Sequence, residues 1–237
     1  MWSFSRASLT GLIQGKFLSF VGAGGKTSLM EHIASWLIAY GKSVCITTTT
    51  KIYAKKPFRL FAEGIERGTF LRVGKDLSEG KLTGLSYAEV ERLGDHFDFV
   101  LVEADGAKGM PLKCPRADEP LIPPISDRVF VIAGLDALGS PLRQKVLRWE
   151  VFCEKKGTEP EEIIGGDIFL SFFNKDVLLK NVEERKGVVV LNRYDLLKER
   201  KGVLDLARQI YAKTGLKVLA GSLLFDFFYL VEGRDGG

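Results

Sequence analysis

Residues 17–21 form an apolar run interrupted only by Ser19, and after the turn Gly22-Ala23-Gly24-Gly25 apolar side chains return at helical spacing as Met30, Ile33, Ala34, Leu37 and Ile38, ending at Gly41. A short buried run, a glycine turn and a 3.6-residue period read as strand, loop and helix. Further short apolar runs lie at residues 44–47, 97–102, 129–133, 188–191 and 217–219, the last read as the final strand. Residues 70–73 read as a minor strand. Helical stretches are predicted at 86–93, with Ser86 capping and Glu89 three places on, at 141–149 and at 204–213. Small helices are predicted across 151–184, one of them at 167–173. Strands alternating with helices predict an α/β fold, a mostly parallel sheet with helices on both faces. The expected organisation is one domain over residues 1–237, with irregular insertions near 51–70 and 106–127 and a helical section near 140–184. Ligands in such sheets bind beyond the carboxyl ends of the strands.

The first of those ends carries Gly-Ala-Gly-Gly-Lys-Thr, residues 22–27. A glycine turn running into a helix aims several backbone N–H groups and the positive helix end at one point, which suits phosphate oxygens. Gly22, Ala23, Gly24, Gly25, Lys26, Thr27 and Ser28 are therefore candidate nucleotide-binding residues, with Lys26 reaching the terminal phosphates and the Thr27 hydroxyl placed for Mg²⁺. A dinucleotide reading fails, because GxGxxG requires glycine where Thr27 stands and the next strand ends in threonines instead of a ribose-binding acid. The full GxxxxGK[ST] pattern is also absent, since Phe20 stands at its first glycine. The compact form resembles the ATP loop of the Mur-type amide ligases, Gly-x-x-Gly-Lys-Thr.

Glu103 and Asp105 follow the apolar run that ends at Val102. One acid there can hold a magnesium shell and another can orient a nucleophile, so Lys26, Glu103 and Asp105 are the catalytic candidates, and Thr27 with Glu103 the metal ligands. Thr48, Thr49 and Lys51 finish the neighbouring strand, where they could meet the γ-phosphate, its metal or a second substrate. Asn192, Arg193 and Asp195 follow another buried run. Their pattern is similar to the NKxD guanine-reading motif of P-loop GTPases, with arginine in place of lysine, and a carboxylate at Asp195 can accept two N–H bonds from a guanine edge.

Composition limits the partners. The 237 residues are 46% hydrophobic and 27% charged with a formal net charge of +4, and basic residues alternate with acids. That balance suits a small anionic ligand better than nucleic acid. No apolar run reaches about 18 residues and residues 1–15 lack a signal-like pattern, so the expectation is a cytoplasmic chain without a membrane role. Cys45, Cys114 and Cys153 show no zinc-binding spacing, and His32 and His96 read as structural. The late run Leu-Leu-Phe-Asp-Phe-Phe-Tyr-Leu-Val reads as core or partner surface.

The segments VGAGGKTSLM, TTTTKIY, LVEADGAKGMPLKCP, EPLIPP and VVVLNRYDLL together resemble the YqeC-type family of accessory proteins associated with selenium-dependent molybdenum hydroxylases. Lys26 and Thr27 match the family's loop lysine and threonine, and Glu103, Asp105 and Gly106 its acidic segment. Lys108 stands where arginine is expected, and Arg193 where lysine is expected. The loop and its acids predict a P-loop NTPase-like fold using ATP or GTP with Mg²⁺, and the resemblance implies a role in maturation of a selenium-containing molybdenum cofactor. The implied partners are a small anionic substrate or that cofactor, and a selenium-dependent hydroxylase. The expected activity is a nucleoside triphosphatase or phosphotransferase. The alternatives are a nucleotide-gated cofactor-insertion chaperone and an ATP-dependent amide ligase. The proline-rich loop 108–124 is expected at the surface, where Lys108, Lys113 and Arg116 would offer cations to the acceptor.

Overall fold

The structure, a computed structural model, describes residues 3–7, 9–197 and 199–232. The remaining positions, which the single-domain expectation includes, lie outside the described residues. In chain order the first strands are β1 (Ser3–Ala7), β2 (Phe17–Gly22), β3 (Val44–Thr48), β4 (Lys51–Tyr53), β5 (Phe58–Leu60), β6 (Phe70–Gly74), β7 (Leu77–Ser78) and β8 (Lys81–Thr83). They are followed by β9 (Phe99–Glu103), β10 (Leu112–Lys113), β11 (Arg128–Gly134), β12 (Val146–Leu147), β13 (Gly187–Asn192), β14 (Lys217–Ser222) and β15 (Phe227–Glu232). The helices are α1 (Lys26–Ala39), α2 (Tyr87–Leu93), α3 (Leu142–Lys145), α4 (Trp149–Lys156), α5 (Gly166–Ser171) and α6 (Val203–Thr214).

Ten strands make one sheet in the order β1-β15-β14-β13-β11-β2-β9-β3-β6-β5. All neighbouring pairs from β14 to β5 are parallel, whereas β15 runs antiparallel to both β14 and β1. The expected mostly parallel α/β sheet is therefore present. Every residue of β2 is buried, as a central strand covered on both faces requires. On one face Leu18 and Phe20 pack with Leu29, Met30 and Ile33 of α1. On the other, Val100 and Val102 meet Val90 and Leu93 of α2, while Val131 and Ala133 share a core with Phe152, Phe169, Leu206 and Ile210 from α4, α5 and α6. Helices thus cover both faces.

Several local expectations need correction. Residues 51–70 are not irregular throughout. β5 joins the edge of the main sheet, and β4 pairs with β8, which pairs with β7, as a separate three-stranded antiparallel flap. The helix expected over 141–149 is only the single turn α3. Val146 is extended at φ −116° and pairs through β12 with β10, and Arg148 takes a left-handed φ of 61° before α4 begins. The sheet does not end at residue 219, because β14 continues to Ser222 and the aromatic run supplies β15. Phe228 and Val231 of that run are core, whereas Leu224 and Phe225 are exposed in the turn before it. The capping box at Ser86 and Glu89 forms as expected.

Candidate functional site

Parallel register brings distant segments to one edge of the sheet. Phe20 and Thr48 both lie opposite Glu103, Gly22 lies opposite Ile132, and Gly134 opposite Asn192. The turn after β2 is packed backbone to backbone on the end of β11: Ala23 N donates to Ile132 O and Gly24 N to Met110 O, each at 2.9 Å. A Cβ on Gly24, whose φ is +87°, would sit 2.3 Å from Gly134 N. Here glycine is demanded by that close approach as much as by conformation. Gly22 N donates to Asp105 Oδ2 at 3.0 Å, so three loop amides already have partners. α1 begins at Gly25, which has no side chain to cap the first turn. Gly25, Lys26, Thr27 and Ser28 line a cavity of about 970 Å³, and first-turn amides point out along the helix axis.

Lys26 is 4% exposed. Its Nζ donates to Gly22 O at 2.6 Å and pairs with Asp105 Oδ1 at 3.1 Å. The ammonium therefore braces the loop as well as presenting charge to the cavity. The other oxygen of Asp105 accepts from Lys113 Nζ at 2.9 Å, and Lys113 also donates to Gly106 O and to Glu119 Oε2, both at 2.8 Å. Arg148 completes the chain, with Nη1 on Cys114 O at 2.7 Å and Nη2 on Glu119 at 3.1 Å. Burial acts to raise the Glu119 carboxyl, but the Lys113 hydrogen bond and the Lys113 and Arg148 charges outweigh it and hold it below the usual range. Lys113 has no exposed surface, which overturns its expected role as a cation offered to an acceptor. Residues 108–124 run partly through the interior, because Leu112 and Cys114 are also fully buried and β10 pairs with β12. Asp105, expected as a catalytic group, does not line the cavity. It positions Lys26 and the loop from below.

Thr27 Oγ1 donates to Glu103 Oε2 at 2.9 Å. Burial pushes the Glu103 carboxyl up from its usual value, opposed by the Lys26 charge and the Thr27 hydrogen bond. Hydroxyl and carboxylate oxygens are the donors Mg²⁺ prefers, and that ion commonly takes one or two protein ligands with phosphate and water filling the rest. The pair fits such an ion. Among the described residues no group of three or more His, Cys, Asp and Glu side chains is placed to hold a metal. Thr48 and Thr49 are buried, and their hydroxyls donate to Glu103 O and Leu121 O, each at 2.7 Å. Those protons go to backbone carbonyls, so both threonines fix the strand ends around Glu103. Lys51 is exposed and lines the cavity.

Asn192 joins two loops: Nδ2 donates to Gly24 O at 3.0 Å, and Oδ1 accepts from Leu223 N at 3.0 Å. Arg193 lines the cavity and takes both oxygens of Asp136, at 3.1 and 3.2 Å. Asp195 Oδ1 accepts from Ser222 Oγ, its one hydrogen-bond partner among the described residues. Ser222 and Leu223 were not legible as site residues, since neither belongs to a motif and β14 was read three residues short. His32 pairs with Asp226 at 3.3 Å on the flank of α1, away from the cavity. Among the described residues no helix is long and apolar enough to cross a membrane.

Residues 18–150 match the family model described as "YqeC protein". The chain is also 35% identical over 193 residues to the protein of Escherichia coli (strain K12) described as "Uncharacterized protein YqeC", with 75% of each chain covered.

Proposed function

We propose that this chain, which belongs to the YqeC family, binds a nucleoside triphosphate with Mg²⁺ at the carboxyl edge of its sheet and hydrolyses or transfers the terminal phosphate. The observation that carries this reading is the 2.9 Å contact between Thr27 Oγ1 and Glu103 Oε2 beside the buried Lys26 ammonium. It puts a metal-ligating hydroxyl, an acid and a cation at one uncapped helix start. On this reading the fold is P-loop NTPase-like, with β2 entering the phosphate loop and adjacent β9 delivering the acid.

Each residue then has a stated task. The amides of the first turn of α1 bind phosphate oxygens, and Lys26 neutralises charge on the terminal groups. Thr27 and Glu103 would hold Mg²⁺, which supplies charge neutralisation and orientation of the phosphates when bound. Asp105 keeps Lys26 aimed, and Asn192 keeps Gly24 seated. The Asp195 carboxylate, fixed on one side by Ser222, has its second oxygen to accept N–H bonds from a guanine edge, which favours GTP over ATP. The same reading assigns this activity to maturation of a selenium-containing molybdenum cofactor, and the family resemblance is what supports that step.

A second reading, a nucleotide-gated insertion chaperone, draws on a specific observation. Asp105 touches Lys26 on one side and the Lys113–Glu119–Arg148 chain on the other, so a change at the phosphate loop reaches residues 108–121 through buried charge. Calorimetry with ATP, GTP and their non-hydrolysable analogues, with and without Mg²⁺, tests the first reading. Metal-dependent micromolar binding of GTP supports it, and absence of binding by any triphosphate overturns it. Turnover accelerated by a hydroxylase partner would favour the chaperone.

A further inference from the structure

The cavity's volume of about 970 Å³ stands at the upper end of the roughly 300–1,000 Å³ of small-molecule sites. Its lining combines the first turn of α1 with two further stretches: the three-stranded flap, which supplies Lys51, Tyr53 and Lys81, and residues 106–121, which supply Lys108 and Arg116. Tyr53 is 66% exposed, and the Lys81 ammonium lies 4.8 Å from its ring centroid. A tyrosine so exposed adds little to the core, while its ring offers a stacking face beside a positive charge.

The charge balance points the same way. Of the acids lining the cavity, Glu103 is held by Thr27 and Glu119 by Lys113 and Arg148. That leaves Asp118 against Lys51, Lys81, Lys108 and Arg116, none of which pairs with a carboxylate among the described residues. Cations are drawn from both stretches. Unpaired cations converging on a concave surface raise the local concentration of anions.

We propose that the part of the cavity lined by Tyr53, Lys81 and Arg116 is a subsite for a second, non-nucleotide substrate, a small planar anion of the aromatic phosphate monoester class, stacked on Tyr53 and charge-matched by Lys81 and Arg116. The proposal rests on the triphosphate reading for the identity of its neighbour, and it deepens that reading by naming what sits beyond the terminal phosphate.

The test is a calorimetric titration of 4-nitrophenyl phosphate into the full chain loaded with Mg²⁺ and a non-hydrolysable triphosphate, repeated with Tyr53→Ala/Lys81→Ala and with Arg116→Ala. One molecule should bind alongside the nucleotide, about tenfold more weakly in either variant, with nucleotide affinity and melting temperature held. Displacement of the nucleotide, equal affinity in the variants, or no saturable binding would overturn the subsite. If the chain takes no nucleotide at all, the same titration on the unloaded protein still decides. Binding that depends on Tyr53, Lys81 and Arg116 upholds the subsite and sinks only the triphosphate reading.

Discussion

Thr27 donates its hydroxyl to Glu103 at 2.9 Å, joining the first turn of α1 to the last residue of β9. The bond holds a potential metal-ligating pair together before any ion arrives, which lowers the ordering cost of binding one.

Glu103 makes that pair sensitive to pH. Burial raises its carboxyl above the ordinary 4.5, so the fold favours the protonated form. Its stability contribution is fully present below the unfolded value and is lost as pH rises through the folded one. Metal binding runs the other way, because it needs the carboxylate. Mg²⁺ affinity of the nucleotide-loaded chain should therefore fall as pH drops through the raised value, as calorimetry over a series of pH values starting from neutral can read. Glu103→Gln should abolish that step and metal-dependent turnover while the triphosphate still binds.

Lys26→Ala should weaken triphosphate binding about 10- to 100-fold, the cost of one charged contact to phosphate. The sequence alone suggests a loss of affinity far larger than any fall in melting temperature. The structure revises this, because the ammonium is buried against Asp105 and Gly22 O. A lower melting temperature should accompany the lost affinity, measured by thermal unfolding and titration of the same preparation. Unchanged affinity would remove the phosphate role.

Lys113→Met should cost about 3–5 kcal/mol of stability, since it leaves Asp105 and Glu119 buried without their shared cation. Denaturant unfolding should show the loss. Adding Glu119→Gln to that variant should restore part of it, and a fully additive double variant would argue against the network.

Asp195→Asn should erase a preference for guanine and move relative affinity toward xanthine nucleotides, whose 2-oxo group can accept from the new amide. Competition binding with GTP, ATP and XTP reads this directly. Equal wild-type affinity for ATP and GTP would leave Asp195 as nothing more than an anchor for Ser222.

The sheet and its carboxyl edge were legible because central strands buried on both faces are short continuous apolar runs, as at residues 129–133 and 188–191. The meeting of Lys26, Thr27 and Glu103 was legible because the glycine turn follows β2 and Glu103 ends β9, the strand paired beside it. Lys113 was misread for a physical reason: a lysine in a proline-rich stretch reads as solvated, and its burial depends on carboxylates at Asp105 and Glu119 whose convergence no spacing reveals. β15 was obscured by its own composition, since Phe227–Glu232 follows two exposed apolar residues and the whole run reads as one patch. Of the threonines at the end of β3, Thr49 lines the cavity, while the hydroxyls of Thr48 and Thr49 donate to backbone carbonyls, a pairing that no sequence pattern reveals.

Asn192 reaches Gly24 across 168 positions of sequence, and its other end is fixed by Leu223. As the chain leaves the ribosome, the glycine turn and α1 emerge well before the residues that brace them, 168 positions later in the case of Asn192. Until β13 and β14 are in place, Gly24 lacks the side chain that seats it and Asp195 lacks the hydroxyl that orients it. Contacts of such long sequence separation close large loops and slow folding. A chain synthesised only as far as α6 therefore has the glycine turn without its full brace, because Leu223, which fixes Asn192, has yet to be made.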